Sequence, residues 1–213
     1  MVYIYYHIYA IDGVESIIDE QLSLIEKYFH FRYILNIGIS IANDNTSISK
    51  ILEKFTKENH KIRDVKAYGN EFVTLDLIEK DKEKFGDSDY ILYIHTKGAS
   101  KQNSLQYQNI ISWRHIMNYF NIEKVNNVFK LFEKTEFNTY GILFNKFYMG
   151  NFWWSTGKYI KTTNSIDMDK KNNRYLAENA YLNSGIDLKP YSAYDIELTN
   201  LYIFEFKREQ YAI

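Results

Sequence analysis

The sequence predicts a single α/β domain with a mostly parallel central sheet flanked by helices. Three observations lead there. Strand-like and helix-like periods alternate through the first hundred residues, as in consecutive βαβ units. The stretch Tyr90–Ile94 is a short apolar run of aromatic and β-branched residues, which reads as a buried strand. Pro190 is the single proline in 213 residues and no Gly/Ser-rich stretch occurs, so nothing marks a place to divide the chain.

The elements follow in order. Val2–Ile11 is a strand, Val14–Phe29 a helix with its apolar face at Ile17, Ile18, Leu22 and Ile25, and Tyr33–Ile41 a second strand. Ser47–Lys57 reads as a serine-capped helix with Ile48, Ile51, Leu52 and Phe55 on one side. Val65–Tyr68 is a short strand, Phe72–Phe85 a charged amphipathic helix, and Tyr90–Ile94 the next strand. The second half is more helical: Leu105–Phe120 and Ile122–Lys134 are helices, Tyr140–Phe144 a strand, and "GNFWW" another extended segment. Asn173–Leu182 reads as a helix and Tyr202–Phe206 as a late strand.

Composition narrows the function. A net charge of −1 gives no general attraction to nucleic acid or to an anionic membrane, so any anion site is local. The chain has no cysteine, which removes disulfides, thiolate nucleophiles and zinc–cysteine clusters and suits the cytoplasm. The start, "MVYIYYHIYAID", lacks a basic flank and a small-residue cleavage site and is shorter than the ~20 residues of a membrane span, so no membrane insertion is expected. Asn45-Thr46-Ser47 fits a glycosylation sequon and reads as a polar loop.

Several signatures fail. No Gly-x-Gly-x-x-Gly follows the first strand, which removes the main support for a dinucleotide site. "GNFWWSTGKY" has the wrong glycine spacing for a phosphate loop, and no His-Glu-x-x-His occurs. The strand ends carry a different signal. In open α/β sheets ligands bind beyond the carboxyl ends of the strands. Those ends hold His7, Tyr9 and Asp12; Ser40 and Asn43; Asn70 and Glu71, with Asp76 on the helix that follows; and His95, Thr96 and Lys97. Together they read as one ligand cleft.

The ordered set "HIY", "YILYIHTKG", "SWRHIM", "GNFWW" and "NRYLAEN" resembles GT-A-type (Rossmann-like) glycosyltransferase domains of bacterial polysaccharide loci and large DNA viruses, nearest to a capsid-glycosylating group of chlorella viruses. The resemblance spans nearly the whole chain. It implies transfer of a hexose or deoxyhexose from a UDP-sugar to a glycan hydroxyl, with residues 1–100 as the nucleotide-binding half and 101–213 as the acceptor side. The alternative is a non-catalytic nucleotide-sugar or carbohydrate-binding module.

GT-A enzymes usually hold a divalent metal (Mn or Mg) on an Asp-x-Asp at a strand end. Here His95-Thr96-Lys97 stands in that place, so Lys97 is expected to take over part of the metal's charge neutralisation. A metal remains open, with Asp76 or His95 as ligand. Asp87-Ser88-Asp89 precedes its strand and should lie at the far end of the sheet; Asp167-Met168-Asp169 sits in a polar loop. The donor set under this reading is His7, Tyr9, Ser40, Asn70, Asp76, His95, Thr96, Lys97 and Arg114. Arg114 borders the apolar stripe of its helix, where an anionic partner or snorkelling to water explains it. Trp153 and Trp154 must point to opposite faces: either one is core and the other stacks on a sugar beside Asn151, or both are core. Arg174 and Glu178 are i,i+4 neighbours, either an exposed ion pair or, as the resemblance implies, acceptor contacts with Glu178 as base or anchor.

Overall fold

The computed structural model describes residues 1–43, 48–67, 69–166, 180–195 and 201–212. The strands are β1 (Val2–Ala10), β2 (Tyr33–Ile41), β3 (His60–Ala67), β4 (Tyr90–His95), β5 (Thr139–Gly141), β6 (Trp153–Thr156) and β7 (Pro190–Ser192). The helices are α1 (Glu15–Tyr28), α2 (Ser49–Leu52), α3 (Phe72–Asp81), α4 (Tyr107–Asn118), α5 (Val125–Lys134) and α6 (Gly157–Ile160).

All seven strands join one sheet in the order β3-β2-β1-β4-β6-β5-β7. β1, β2, β3 and β4 are parallel, β6 runs antiparallel to both β4 and β5, and β7 is parallel to β5. The sheet is therefore mixed, with β6 the reversed strand. Alternate residues of β1 serve two cores. Ile4, Tyr6 and Ile8 pack with α1, α4 and α5, while Tyr5 packs with Leu75 and Ile78 of α3 and with Tyr93. Both faces of β1 and β4 are covered, which is why their sequences read as unbroken apolar runs. Among the described residues, no helix is long and apolar enough to cross a membrane.

The expected elements differ from the observed ones in several places, among them the unexpected short helix α6 and the shorter β5. β3 starts at His60, five residues before the expected start, and its side chains beyond His60 are mostly exposed, so it has no apolar alternation to read. The preceding helix is a single turn, α2, although Ile51 and Phe55 are buried as the helical spacing required. Residues Tyr202–Phe206 form no strand. They lie along α4, where Asn109 Nδ2 donates to Tyr202 O (2.8 Å) and the Phe206 N–H donates to Ser112 Oγ (3.1 Å). β7 is an additional three-residue strand that opens on Pro190, a position where a missing N–H is tolerated. The expected helix Asn173–Leu182 lies largely outside the described residues, as does the sequon.

Candidate functional site

The order β3-β2-β1-β4 places successive strands to one side of β1 and then returns to its other side, so β1 and β4 flank the point where strand order reverses. Ligand crevices form at such points because the connections leave the two carboxyl ends in opposite directions. His7 and His95 are register partners there. Past them the Thr96 N–H donates to His7 O (3.0 Å) and the Tyr9 N–H donates to Thr96 Oγ1 (2.9 Å), tying the two strand ends together. Above this floor opens a cleft of about 330 Å³. Of the expected donor residues it brings together His7, Tyr9, Asn70, His95, Thr96 and Lys97, joined by Glu71, Ile110 and Tyr202.

Three expected donor residues do not line the cleft. Ser40 is fully buried beneath it, its Oγ 3.2 Å from His7 Nε2. Asp76 pairs with Lys80 one helical turn on, at 2.5 Å. Arg114 is buried and spends its guanidinium on the protein. Nε and Nη2 donate to the two Glu20 carboxylate oxygens (3.1 and 2.8 Å), and Nη1 donates to Lys97 O (2.9 Å). Arg114 therefore holds the backbone of the cleft loop. Burial pushes the Glu20 carboxyl up, but the hydrogen bonds from His115 and Arg114 outweigh it and bring it down to about 2. Arg114→Met removes the guanidinium donors of Glu20, which keeps those of Asn118 and His115, and the donor to the Lys97 carbonyl; a loss of about 1–3 kcal/mol is expected in denaturant unfolding.

The loop after β4 is shaped by two further restraints. Gln21 Nε2 donates to His95 O (3.2 Å), and Gly98 sits at φ 92°, where an added Cβ would come within 2.9 Å of Ile110. The Lys97 ammonium then lies 3.8 Å from the centre of the Trp113 ring and 5.9 Å from that of Tyr202. The two rings meet edge-on with centres 5.0 Å apart. Trp113 was missing from the expected site; its signal was an indole next to Arg114 on the same helix. An ammonium over an indole face gains attraction from the ring quadrupole.

The two histidines are fixed by their partners. Gly150 O accepts from His95 Nε2 at 2.9 Å, so that nitrogen carries the proton. Burial, reinforced by nearby Lys97 against the opposing pull of Glu71, lowers His95 to about 3, so its ring is neutral at pH 7. His7 sits in a chain. Thr74 Oγ1 donates to Gly38 O (3.4 Å) and so accepts from His7 Nδ1 (3.0 Å), leaving His7 Nε2 to accept from Ser40. The unfolded chain protonates His95 near pH 6.5 whereas the folded chain resists until about 3, so stability falls as pH drops through that interval. Glu20 adds a loss below about pH 4.5. His60, also lowered by burial, acts in the same direction as His95. Thermal melts from pH 7 to 4 should therefore decline, and His95→Gln, whose amide can still donate to Gly150, should flatten part of the decline above pH 4.5. An unchanged pH profile in that variant would remove His95 from this account.

The tryptophans do point to opposite faces, but neither reaches the cleft. Trp153 stacks on Tyr93 (5.3 Å between centres) and donates Nε1–H to Asn151 Oδ1 (3.1 Å). Trp154 stacks on Phe29 (6.0 Å) and donates to Asn121 O (2.8 Å). Both indoles are at most 1% exposed, because each face of the sheet is roofed by its own core. A sugar-stacking role for either is thereby corrected. Asn151, at φ 58° and buried, orients Trp153 rather than lining the cleft. Arg174, Glu178, Asp167 and Asp169 lie outside the described residues. Asp87 and Asp89 sit at the far end of the sheet as expected: Asp89 pairs with the Met1 amine at 2.9 Å and Asp87 with Lys161.

A family model described as rhamnan synthesis protein F, RgpF, matches residues 1–204. The chain belongs to this family. No curated protein and no solved structure matches it. Membership of the rhamnan synthesis family is a link to polysaccharide synthesis and so to sugar substrates, and the family is related to glycosyltransferases. It accords with the polysaccharide side of the resemblance and says nothing of the viral one.

The chemistry of the cleft lining decides what it can hold. Among the described residues, no group of three or more His, Asp or Glu could hold a metal ion. His7 has both ring nitrogens engaged, His95 has one, Asp76 is paired, and Glu71 is the one carboxylate among the described lining residues. This donor set does not fit a protein-held Mn or Mg ion. What it presents instead is a fixed cation, the Thr96 hydroxyl and the neutral His95 ring in one enclosed space.

Proposed function

We propose that this chain is a glycosyltransferase that moves a hexose or deoxyhexose from a UDP-sugar to a hydroxyl of a growing glycan, with the donor seated in the β1/β4 cleft. The observation that carries the reading is the Lys97 ammonium, held at the switch point of the sheet by Trp113, Arg114 and the tight loop. In the reaction the bond from the sugar C1 to the diphosphate oxygen breaks and a bond from C1 to the acceptor oxygen forms. The acceptor proton leaves to a base, and the electron pair of the broken bond goes to the departing UDP. In this reading Lys97 meets that growing negative charge with a charge-assisted hydrogen bond, a stronger interaction as the charge builds. Glu178 is assigned the base or acceptor anchor and Arg174 an acceptor contact. The family's description favours the deoxyhexose arm, since rhamnan is a polymer of a 6-deoxyhexose.

Calorimetric titration with UDP-, dTDP- and GDP-sugars and with NAD, with and without Mn²⁺, tests the donor assignment. UDP-sugars are expected to bind more tightly than GDP-sugars or NAD; equal or tighter binding of NAD would sink the assignment. Release of sugar from the bound donor separates a transferase from a module that only binds.

A further inference from the structure

A second hollow of about 310 Å³ lies away from the donor cleft, between the α4–α5 connection and the β5–β7 edge. Its walls are aromatic. Phe120 stacks on Tyr194 (5.2 Å between centres, 26° between planes) and Tyr140 on Tyr191 (5.8 Å, 16°), with Tyr211 beside them. The rings do not all serve the core. Tyr140 and Tyr211 are buried, whereas Phe120, Tyr191 and Tyr194 keep part of their surface in the open.

The polar groups in this wall narrow the occupant. Tyr140 uses its hydroxyl on Phe120 O (3.2 Å), but the Tyr191 and Tyr194 hydroxyls make no hydrogen bond to any described residue. Lys124, Asn127 and Gln210 complete the rim, and no acidic side chain is among the described lining residues. Aromatic faces combined with two amides, two phenols and a single cation, Lys124, suit a ligand whose surface alternates C–H patches with hydroxyls. That is the surface of a sugar chain, and a 6-deoxyhexose adds a methyl group to its apolar side. Burial raises the Tyr194 phenol, so its hydroxyl stays a donor across the physiological range.

Position supplies the second argument. Ile110, on the first half of α4, lines the donor cleft, and Tyr119, just past its end, lines the hollow. Nine residues of helical rise separate them by about 14 Å along the axis. Nine steps of about 100° also bring them to opposite sides of the helix, so a glycan that joins the two sites has to pass around α4 and needs more than this axial length. We propose that the hollow is a carbohydrate subsite that grips the already assembled part of the glycan while its end is extended at the cleft. The occupant rests on the glycosyltransferase reading; the site itself does not.

The test uses the intact chain without nucleotide sugar, titrated with a rhamnose trisaccharide, with maltotriose for comparison. The trisaccharide is expected to bind, and Tyr194→Ala to weaken it on the order of tenfold, in line with the loss of one stacking face and its contact area. Tyr194→Phe, which keeps the ring, should retain most of the affinity. UDP-sugar titrations and melts of the same variants should match the parent, and Tyr191→Ala repeats the measurement should Tyr194→Ala fold poorly. No binding of the trisaccharide by the parent, or parent-like affinity in both alanine variants, would overturn the proposal. Trisaccharide binding that depends on Tyr194 in a chain that ignores every nucleotide sugar would instead leave the subsite standing and remove the donor assignment.

Discussion

Alanine in place of Trp154 is expected to destabilise the fold by about 3–5 kcal/mol, and alanine in place of Trp153 by a similar amount. Each indole fills a different core. Trp154 closes the side built by α1 and α5, packed between Phe29 and Phe129, and its removal also leaves Asn121 O without its donor. Trp153 closes the side built by α3 and α6, against Tyr93, and its removal frees the buried Asn151 carboxamide. The cavity term and the orphaned polar atom act together, which places both variants at the severe end for single substitutions. Urea unfolding of the two variants measures this directly. At temperatures where both remain folded, UDP-sugar affinity should equal that of the parent. A variant that melts like the parent yet loses sugar binding would return that tryptophan to the cleft.

The tryptophan pair also shows what the sequence made legible. Adjacent residues of a strand face opposite ways by geometry alone, so the divergence of Trp153 and Trp154 followed from the pattern. What covers each face depends on α5 and α3, which are distant in sequence, and one open face was a natural expectation that the second core removes. β1, β2 and β4 were readable because burial on both faces leaves continuous β-branched and aromatic runs. Of β3 only the last residues were, since an edge strand mostly exposed beyond its first residue carries little apolar signal. The polar strand ends were likewise readable, because chain topology delivers them to one place whatever their side chains do. The direction of an individual polar side chain was not. Arg114 turns inward because Glu20, 94 residues earlier on α1, waits for it, and no local spacing announces that pair.

Replacing Lys97 with methionine is expected to lower turnover on the order of 10²-fold while leaving the melt near that of the parent. The drop corresponds to about 2.7 kcal/mol of transition-state stabilisation, the scale of losing one preorganised electrostatic donor. The small effect on stability follows from the surroundings. The ammonium gives up a cation–π contact with Trp113, and the thioether that replaces it packs favourably on the same indole. The loop itself is held through backbone groups by Arg114, Gln21 and the turn at Gly98, none of which needs the lysine side chain. Because charge on the leaving diphosphate is larger in the transition state than in the bound donor, the loss should appear mainly in kcat at saturating donor rather than in KM. Lys97→Arg, which restores a cation of different shape, should recover part of the rate. The described residues supply no carboxylate cluster for a metal, so added Mn²⁺ acting through the donor phosphates should not replace the lysine. Turnover is measured for the parent, Lys97→Met and Lys97→Arg with and without Mn²⁺. Equal turnover in all three would reduce Lys97 to a strand-end lysine resting on a tryptophan, and the charge on the leaving group would need another counterpart.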